Sequence, residues 1–152
     1  MKNSKYYLSL ILSFIALSAS AEADENSKFL TFLEDEWQYE LRQSPVYATA
    51  MGVKGYETLW RDNSLEAIEA RRSHNVDTVE ALKGFEKENL SKANQLNLRL
   101  FTDLAKKEVE IDQFNRHLLP FNHRGGIQLA HEDAENLPFK NPQDYRFWIE
   151  RL

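Results

Sequence analysis

Apolar residues recur every three or four positions along most of the chain, which is the spacing of helices that bury one face. The first such stretch runs from Ser27 to Gln43 and ends before Pro45. Pro45 also suits the first turn of a short helix that would run to Met51, with Gly52 as its stop. The apolar face of the first helix consists of Phe29, Leu30, Leu33, Trp37 and Leu41.

A second helix is expected from Asn63 to about Phe85. Asn63 with Glu66 three residues on has the layout of a capping box, which predicts where this helix begins. Its apolar positions are Leu65, Ile68, Val76, Val79 and Leu82. His74 falls on the polar side, where a solvated histidine is the expected state.

The longest predicted helix is capped by Ser91 and continues to about Leu118. It carries two apolar stripes, and a helix that is apolar over so much of its circumference is expected to be buried between neighbours. One stripe consists of Ala93, Leu96, Leu100, Leu104, Ile111 and Phe114, and the other of Leu98, Phe101, Ala105 and Val109. The whole pattern predicts an all-α fold, arranged as an antiparallel helical array.

Proline and glycine divide the last third of the chain. Pro120 stops the long helix, Gly125-Gly126 marks a flexible turn, and two turns of helix are expected between Ile127 and Asn136. A final helix opens with Asn141 as cap and Pro142 at its first position.

The apolar face of this final helix continues to the last residue of the sequence. Its members are Tyr145, Trp148, Ile149 and Leu152. Native chains usually end in frayed polar residues, so we expect the packing partners of this face to lie beyond Leu152. The chain would then be a truncated, N-terminal piece of a longer protein.

The first 21 residues have the layout of a signal peptide. Lys2 and Lys5 form a basic start, Leu8 to Leu17 an apolar run, and Ala19-Ser20-Ala21 the small-x-small pattern of a cleavage site. The apolar run, about ten residues long, is too short for the ~20 residues that cross a bilayer. We therefore expect residues 1–21 to be removed, leaving 22–152 as a periplasmic or secreted protein without a membrane anchor.

Composition excludes several classes of function. The chain of 152 residues is 42% hydrophobic and 28% charged, with a net charge of −5, which is typical of a soluble globular domain. Because lysine and arginine are not concentrated anywhere, nucleic acid is not an expected partner. The absence of cysteine from the sequence excludes disulfides and thiolate chemistry.

The segment His131-Glu132-Asp133-Ala134-Glu135 resembles the zinc-binding H-E-x-x-H motif, with Glu135 in place of the second histidine. His131 and Glu135 would be two zinc ligands and Glu132 the general base. Candidates for the third ligand are His74, His117, His123 and a distant carboxylate. Three acidic residues in four positions, however, favour a solvated acidic patch, so no metal site is predicted here.

Aromatic residues are frequent in the N-terminal third of the mature chain. The set consists of Trp37, Tyr39, Tyr47, Tyr56 and Trp60. Such residues most often serve in cores and helix contacts, and a groove for a peptide or a sugar is the alternative.

The order of short motifs from Phe29 to Leu152 resembles a bacterial family called domain of unknown function 885 (DUF-885). The N-terminal motifs are Phe32-Leu33-Glu34-Asp35-Glu36-Trp37, then Ser44-Pro45 with Ala48-Thr49 and Gly52, then Asp62-Asn63-Ser64. The later motifs are Leu119-Pro120-Phe121, Pro138-Phe139, Asp144-Tyr145 and Arg151-Leu152.

This resemblance implies a zinc-dependent peptidase with a mostly helical, zincin-like fold of several hundred residues. The zinc-binding H-E-x-x-x-G-H-type element of the family lies beyond Leu152, and no position of this chain matches it. No residue is therefore assigned as catalytic, cofactor-binding or metal-binding. Zinc and a peptide substrate would belong to the complete protein, and this portion, inactive alone, would wall the cleft or scaffold the missing C-terminal catalytic portion.

The alternative is a self-contained periplasmic binding or interaction module. Its groove would lie around Trp37, Tyr47 and Trp60.

Overall fold

The computed structural model describes the backbone of residues 4–119 and 126–152, and the side chains of residues 24–119, 126 and 128–152. No strand occurs in these ranges, so the all-α class predicted from the sequence is confirmed. The α-helices are α1 (Ser4–Gln43), α2 (Pro45–Ala50), α3 (Leu65–Leu82), α4 (Lys92–Asp112), α5 (Ala130–Asp133) and α6 (Pro142–Arg151). Short 3₁₀ helices occupy Lys87–Asn89, Arg116–Leu118, Ile127–Leu129 and Ala134–Asn136.

The chain divides into two compact units, each built from two separate segments. Unit 1 comprises Met1–Glu34 and Asn75–Glu108, and unit 2 comprises Asp35–His74 and Val109–Leu152. Among the described helices, none is long and apolar enough to cross a membrane.

Unit 1 is held by a small apolar core. Its fully or nearly buried members are Phe29, Leu82, Leu90, Leu98 and Ala105. Phe29 is 0% exposed and meets the ring of Phe85 edge to face, with centroids 5.2 Å apart. Phe32 contacts both Phe85 and Phe101. Edge-to-face pairs of this kind add about 0.5–1.5 kcal/mol to the gain from burial.

Only one of the two predicted stripes of α4 is buried in this way. Leu98 and Ala105 enter the core of unit 1, whereas Leu96, Leu100 and Leu104 are 46%, 50% and 60% exposed. The prediction that α4 is covered on both sides is therefore wrong for the residues described. The physical reason is that the core residues of α1 and α3 reach only the Leu98 side of the helix.

Ser91 begins α4 as predicted, and a second polar group supports it. The Ser91 hydroxyl accepts a hydrogen bond from the backbone N–H of Asn94 at 3.3 Å. The side-chain oxygen of Asn26, on α1, accepts from Ser91 N–H at 3.1 Å and from the Asn94 amide at 2.7 Å. The bonds from the backbone N–H groups of Ser91 and Asn94 satisfy donors that a helix start leaves without partners, and the bond at 2.7 Å comes from the Asn94 side chain.

Two helix limits in unit 2 differ from the predicted ones. The predicted capping box of Asn63 and Glu66 is wrong, because α3 is capped by Ser64, whose hydroxyl accepts from Ala67 N–H at 3.2 Å. Asp62 in turn accepts from Ser64 N–H at 2.8 Å, which forms a turn just before the helix.

The predicted extension of α4 to Leu118 is also wrong, since this helix ends at Asp112. Asn115 adopts the left-handed conformation, with φ 46°, and so stops the helix. Arg72 stabilises this stop by donating hydrogen bonds to the Asp112 carbonyl at 3.0 Å and to the Asn115 side chain at 2.8 Å. A cation is favourable at a helix C-terminus because the carbonyl groups there carry partial negative charge.

The start of α6 follows the prediction closely. The Asn141 side chain accepts from Gln143 N–H at 2.8 Å, Pro142 follows at the first position, and Asp144 accepts from Asn141 N–H at 3.1 Å. The two turns of helix expected between Ile127 and Asn136 are instead divided among two 3₁₀ helices and the four residues of α5. Gly125 of the predicted flexible turn lies outside the described residues.

Candidate functional site: a buried arginine beside two tryptophans

The most unusual polar group of unit 2 is Arg151, in the last turn of α6. It is only 4% exposed. Its Nη2 atom donates to the Thr49 hydroxyl at 2.7 Å and to the Tyr56 carbonyl at 2.6 Å. In return, the indole N–H of Trp60 donates to the Arg151 carbonyl at 2.6 Å. Three hydrogen bonds thus join the end of α6 to α2 and to the loop that follows α2.

Two neighbouring indole rings contact the guanidinium. The central carbon of the Arg151 guanidinium lies 5.8 Å from the ring of Trp60 and 5.7 Å from the ring of Trp148. The two rings are themselves 6.1 Å apart and inclined at 58°. Tryptophan has the most favourable ring for a cation, so these contacts offset part of the cost of removing the charge from water. We call Thr49, Tyr56, Trp60, Trp148 and Arg151 the Arg151 cluster.

The hydrogen bonding of Arg151 is incomplete among the residues described. A guanidinium carries five N–H donors, two of them on Nη2. The Nε and Nη1 atoms, which carry the other three, are buried and have no acceptor in the described part of the chain. Burial lowers the pKa of Arg151, and the negative charges of Asp133 and Glu57 oppose this effect only in part. Each buried donor left without a partner typically costs about 1–3 kcal/mol.

A pocket of about 120 Å³ lies next to the Arg151 cluster, and we call it the α6 pocket. Thr49 and Trp148 belong to both. Its apolar lining residues are Val53, Leu137, Pro138, Phe139, Phe147 and Trp148, and its charged ones are Lys54, Glu57, Lys140 and Asp144. An apolar cavity of about 150 Å³ binds benzene, so this pocket is of the size that takes one small ring.

The carboxylate of Asp144, which lines this pocket, already accepts hydrogen bonds from the backbone. Hydrogen bonds from the backbone N–H groups of Lys140 and Asn141 hold the pKa of Asp144 below its usual range, and the charge of Lys54 acts in the same direction.

The segment that resembles a zinc motif lies on the surface of unit 2. His131, Glu132 and Glu135 are all exposed, on α5 and on the 3₁₀ helix after it. In the described ranges, no group of three histidine or acidic side chains is placed to hold a metal ion. The Nδ1 atom of His117 lies 3.5 Å from the Nη2 atom of Arg72. His123 falls outside the described residues.

His74 is not the solvated residue that its polar surroundings in the sequence predicted. Its Nε2 atom lies 3.0 Å from a carboxylate oxygen of Glu36, and its ring stacks on Tyr39 with centroids 3.5 Å apart. The expectation was wrong because the C-terminal part of α1 lies along this side of α3, which the sequence of α3 alone cannot show. Gln43 and Arg71 form another contact between the same two helices, at 3.3 Å.

The structure divides the aromatic residues that were grouped in the sequence. Trp37 meets Tyr47 edge to face at 6.2 Å, while Trp60 pairs with Trp148 and Arg151. Sequence reasoning did not single out Arg151 as a functional residue. The available signal was a charged residue three positions after Trp148, next to the apolar face of a helix.

Comparison with known proteins points to one family. The model of a family described as bacterial protein of unknown function (DUF885) matches residues 45–152. No curated protein and no solved structure matches the chain. The match covers more than half of the chain and contains every residue of the Arg151 cluster. The chain therefore belongs to the DUF885 family of bacterial proteins.

Proposed function

We propose that this chain is the N-terminal portion of an exported, zinc-dependent peptidase of the DUF885 family, and that it serves as a scaffold for the catalytic portion. Membership of the family and the motif order of residues 29–152 support the assignment. The signal-like segment 1–21 supports export. In this proposal the zinc ligands and the general base lie C-terminal to Leu152.

The observation that carries the scaffold role is the exposed stripe of α4 in unit 1. Leu96, Leu100 and Leu104 are four residues apart, so they lie on one face of the helix, and about half of each side chain faces solvent. Contiguous apolar surface of this kind marks a site where another protein surface packs. Covering it would gain roughly 25 cal/mol for each Å² removed from water.

Unit 2 carries a second apolar surface, which supports the same role. On α6, Tyr145 and Ile149 are 55% and 70% exposed, and Leu152 is 75% exposed. Their spacings of four and three place them on one face. We propose that this face, like the α4 stripe, packs against the catalytic portion.

The first experiment is to sequence the DNA downstream of the Leu152 codon and to measure the intact mass of the protein in its source bacterium. We expect the frame to continue and to encode a histidine-glutamate zinc element. The complete product should bind one zinc ion and cleave unstructured peptides, and the 152-residue chain should not cleave them. An immediate stop codon, with an intact mass that ends at Leu152, would overturn the proposal.

A pair of variants then tests the scaffold role in the complete protein. Leu100→Glu places a charge in the α4 stripe, and Leu65→Glu places one at an exposed leucine in the first turn of α3. We expect Leu100→Glu to reduce peptidase activity while the 152-residue chain carrying it stays folded. Leu65→Glu should leave activity unchanged, and equal effects of the two would contradict the assignment of the stripe.

The α6 pocket favours a second candidate function, a self-contained periplasmic binding module. It requires the chain without residues 1–21 to be folded, monodisperse and able to bind a specific ligand. Aggregation through the exposed leucines and Ile149 would instead favour the scaffold role. A zinc ion bound by the chain itself and lost in Glu135→Ala would revive the third alternative, a metal site at His131 and Glu135.

A further inference from the structure

Arg151 is held as a preorganised donor rather than as a fully satisfied structural residue. Its backbone is fixed by Trp60, and its Nη2 atom is fixed by Thr49 and Tyr56. Two adjacent indole rings contact the guanidinium, at 5.8 Å and 5.7 Å. The Nε and Nη1 atoms are buried, yet no acceptor among the described residues reaches them.

A purely structural role for this side chain would lower the stability of the fold. Removing a guanidinium from water costs several kcal/mol, and an apolar side chain of similar volume commonly stabilises such a position equally well or better. Glu57 and Asp133 are the carboxylates whose charges act on Arg151, but within the described part of the chain neither accepts a hydrogen bond from it or forms an ion pair with it. The position is therefore suited to an acceptor that arrives with a ligand.

We propose that Arg151 binds the carboxylate of a small ligand whose apolar body occupies the α6 pocket. A carboxylate offers two oxygens to the unpaired N–H donors, and charge-assisted hydrogen bonds are about twice as strong as neutral ones. Phe139, Phe147 and Trp148 supply apolar walls, and the volume limits the body to about one ring. The lining carries two lysines, Lys54 and Lys140, and two carboxylates, Glu57 and Asp144, so the positive charge for the ligand comes from Arg151 itself.

Binding requires a small rearrangement at the wall of the pocket. Arg151 does not itself line the pocket, whereas Thr49 and Trp148 line it and contact Arg151. The ligand must therefore displace one of these two side chains in order to reach the guanidinium. The indole N–H signal of Trp148 should report that movement directly. This inference concerns ligand binding by unit 2 and does not rest on the proposed peptidase function.

The test is a titration of the 152-residue chain with phenylacetate, followed by two-dimensional NMR of the tryptophan indole N–H and arginine Nε–H groups. We expect saturable shifts of the signals of Trp60, Trp148 and Arg151, with the Trp37 indole signal as an internal reference. Phenylacetamide has the same shape without the charge, and we expect it to bind at least about tenfold more weakly, which corresponds to about 1.4 kcal/mol. Acetate, which has no ring, should also bind more weakly than phenylacetate.

Variants of two arginines of the same helix complete the test. Arg151→Lys keeps the charge but loses the planar set of donors, so it should weaken phenylacetate binding at least about tenfold. Arg146→Lys, at an exposed position of α6, should leave binding unchanged. Equal binding of phenylacetate and phenylacetamide, equal binding of acetate, or shifts that never saturate would overturn the proposal. Because these comparisons use the unaltered chain, they hold even if Arg151→Lys fails to fold.

The source of the carboxylate can be distinguished in the same way. Tighter binding of glycyl-phenylalanine than of both phenylacetate and the amidated dipeptide would assign the site to a peptide C-terminus. Tighter binding of phenylacetate would assign it to a free small acid. Peptidase activity is not measured in either comparison, so a failure here leaves the proposed function untouched.

Discussion

The indole nitrogen of Trp60 donates a hydrogen bond to the backbone carbonyl of Arg151 at 2.6 Å, between residues 91 positions apart in the sequence. The same two residues are joined again where the guanidinium of Arg151 lies 5.8 Å from the Trp60 ring. A carbonyl in the last turn of a helix has no partner within the helix, so Trp60 satisfies a group that α6 leaves open. Trp60 therefore acts as a C-terminal cap supplied from a distant loop.

Replacing Trp60 by phenylalanine tests the value of this cap. We expect Trp60→Phe to lower the free energy of unfolding by about 1–2 kcal/mol, because it removes the hydrogen bond as well as part of the ring contact. Trp37→Phe is the matched control, since Trp37 has similar exposure, 37% against 38%, and contacts the ring of Tyr47. Urea denaturation of both variants measures the difference, and equal losses would contradict the role given to the Trp60 N–H.

Asn115 should tolerate glycine better than alanine. Its φ of 46° lies in the left-handed region, where a side chain with a β-carbon other than asparagine costs roughly 1–2 kcal/mol. Both Asn115→Gly and Asn115→Ala lose the hydrogen bond from Arg72. Thermal unfolding should therefore rank the wild type first, the glycine variant second and the alanine variant last. A glycine variant less stable than the alanine variant would show that this backbone strain is not important.

Asp144 should make stability depend on pH in the acidic range. Hydrogen bonds from Lys140 N–H and then from Asn141 N–H lower its pKa in the folded chain below the ordinary 3.8. A carboxylate with a lowered folded pKa stabilises fully above its unfolded pKa and loses this effect as the pH falls through the folded value. Asp144→Asn should thus destabilise the chain at neutral pH and much less well below pH 3.8.

The control for Asp144 is Glu150→Gln, an exposed carboxylate near the other end of α6. Urea unfolding of both variants at neutral and at acidic pH provides the comparison. If the effect of Asp144→Asn were the same at both pH values, the charge of Asp144 would not be its source.

Phe29 is expected to be the most sensitive apolar position of unit 1. Its side chain is fully buried, so Phe29→Ala should cost about 3–5 kcal/mol through lost burial and the cavity left behind. Phe114→Ala, at a phenylalanine that is 66% exposed, should cost less than about 1 kcal/mol. Far-ultraviolet circular dichroism during urea unfolding measures both, and comparable losses would contradict the assignment of the core.

Local signals in the sequence were sufficient where a local interaction decides the structure. Asn141 with Pro142 predicted the start of α6, and Ser91 predicted the start of α4, because the hydrogen bonds of a cap join residues two or three positions apart. Gly52 also predicted the end of α2. The signal is again local, because its positive φ of 79° is a conformation that suits glycine.

The predictions were wrong where a contact with a residue far away in the sequence determines the local structure. Nothing between Asp112 and Leu118 shows that Arg72 will bind the carbonyl at the end of α4. The environment of His74 depends in the same way on Glu36 and Tyr39 of another helix. Arg151 depends most strongly on distant residues. Its surroundings consist of Thr49 on α2, Tyr56 and Trp60 in the loop after α2, and Trp148 on α6 itself.

The division of each unit into two segments sets the order in which the halves of each unit are synthesised. Thr49, Tyr56 and Trp60 leave the ribosome 91 or more residues before Arg151, which is a delay of roughly 5–20 s at ordinary translation rates. Throughout that interval the first half of unit 2 lacks its partner segment, while the second half of unit 1 is already being made. Both segments of unit 1 are therefore synthesised before α6, and the earlier half of unit 2 is the part of the chain that waits longest for its packing partner.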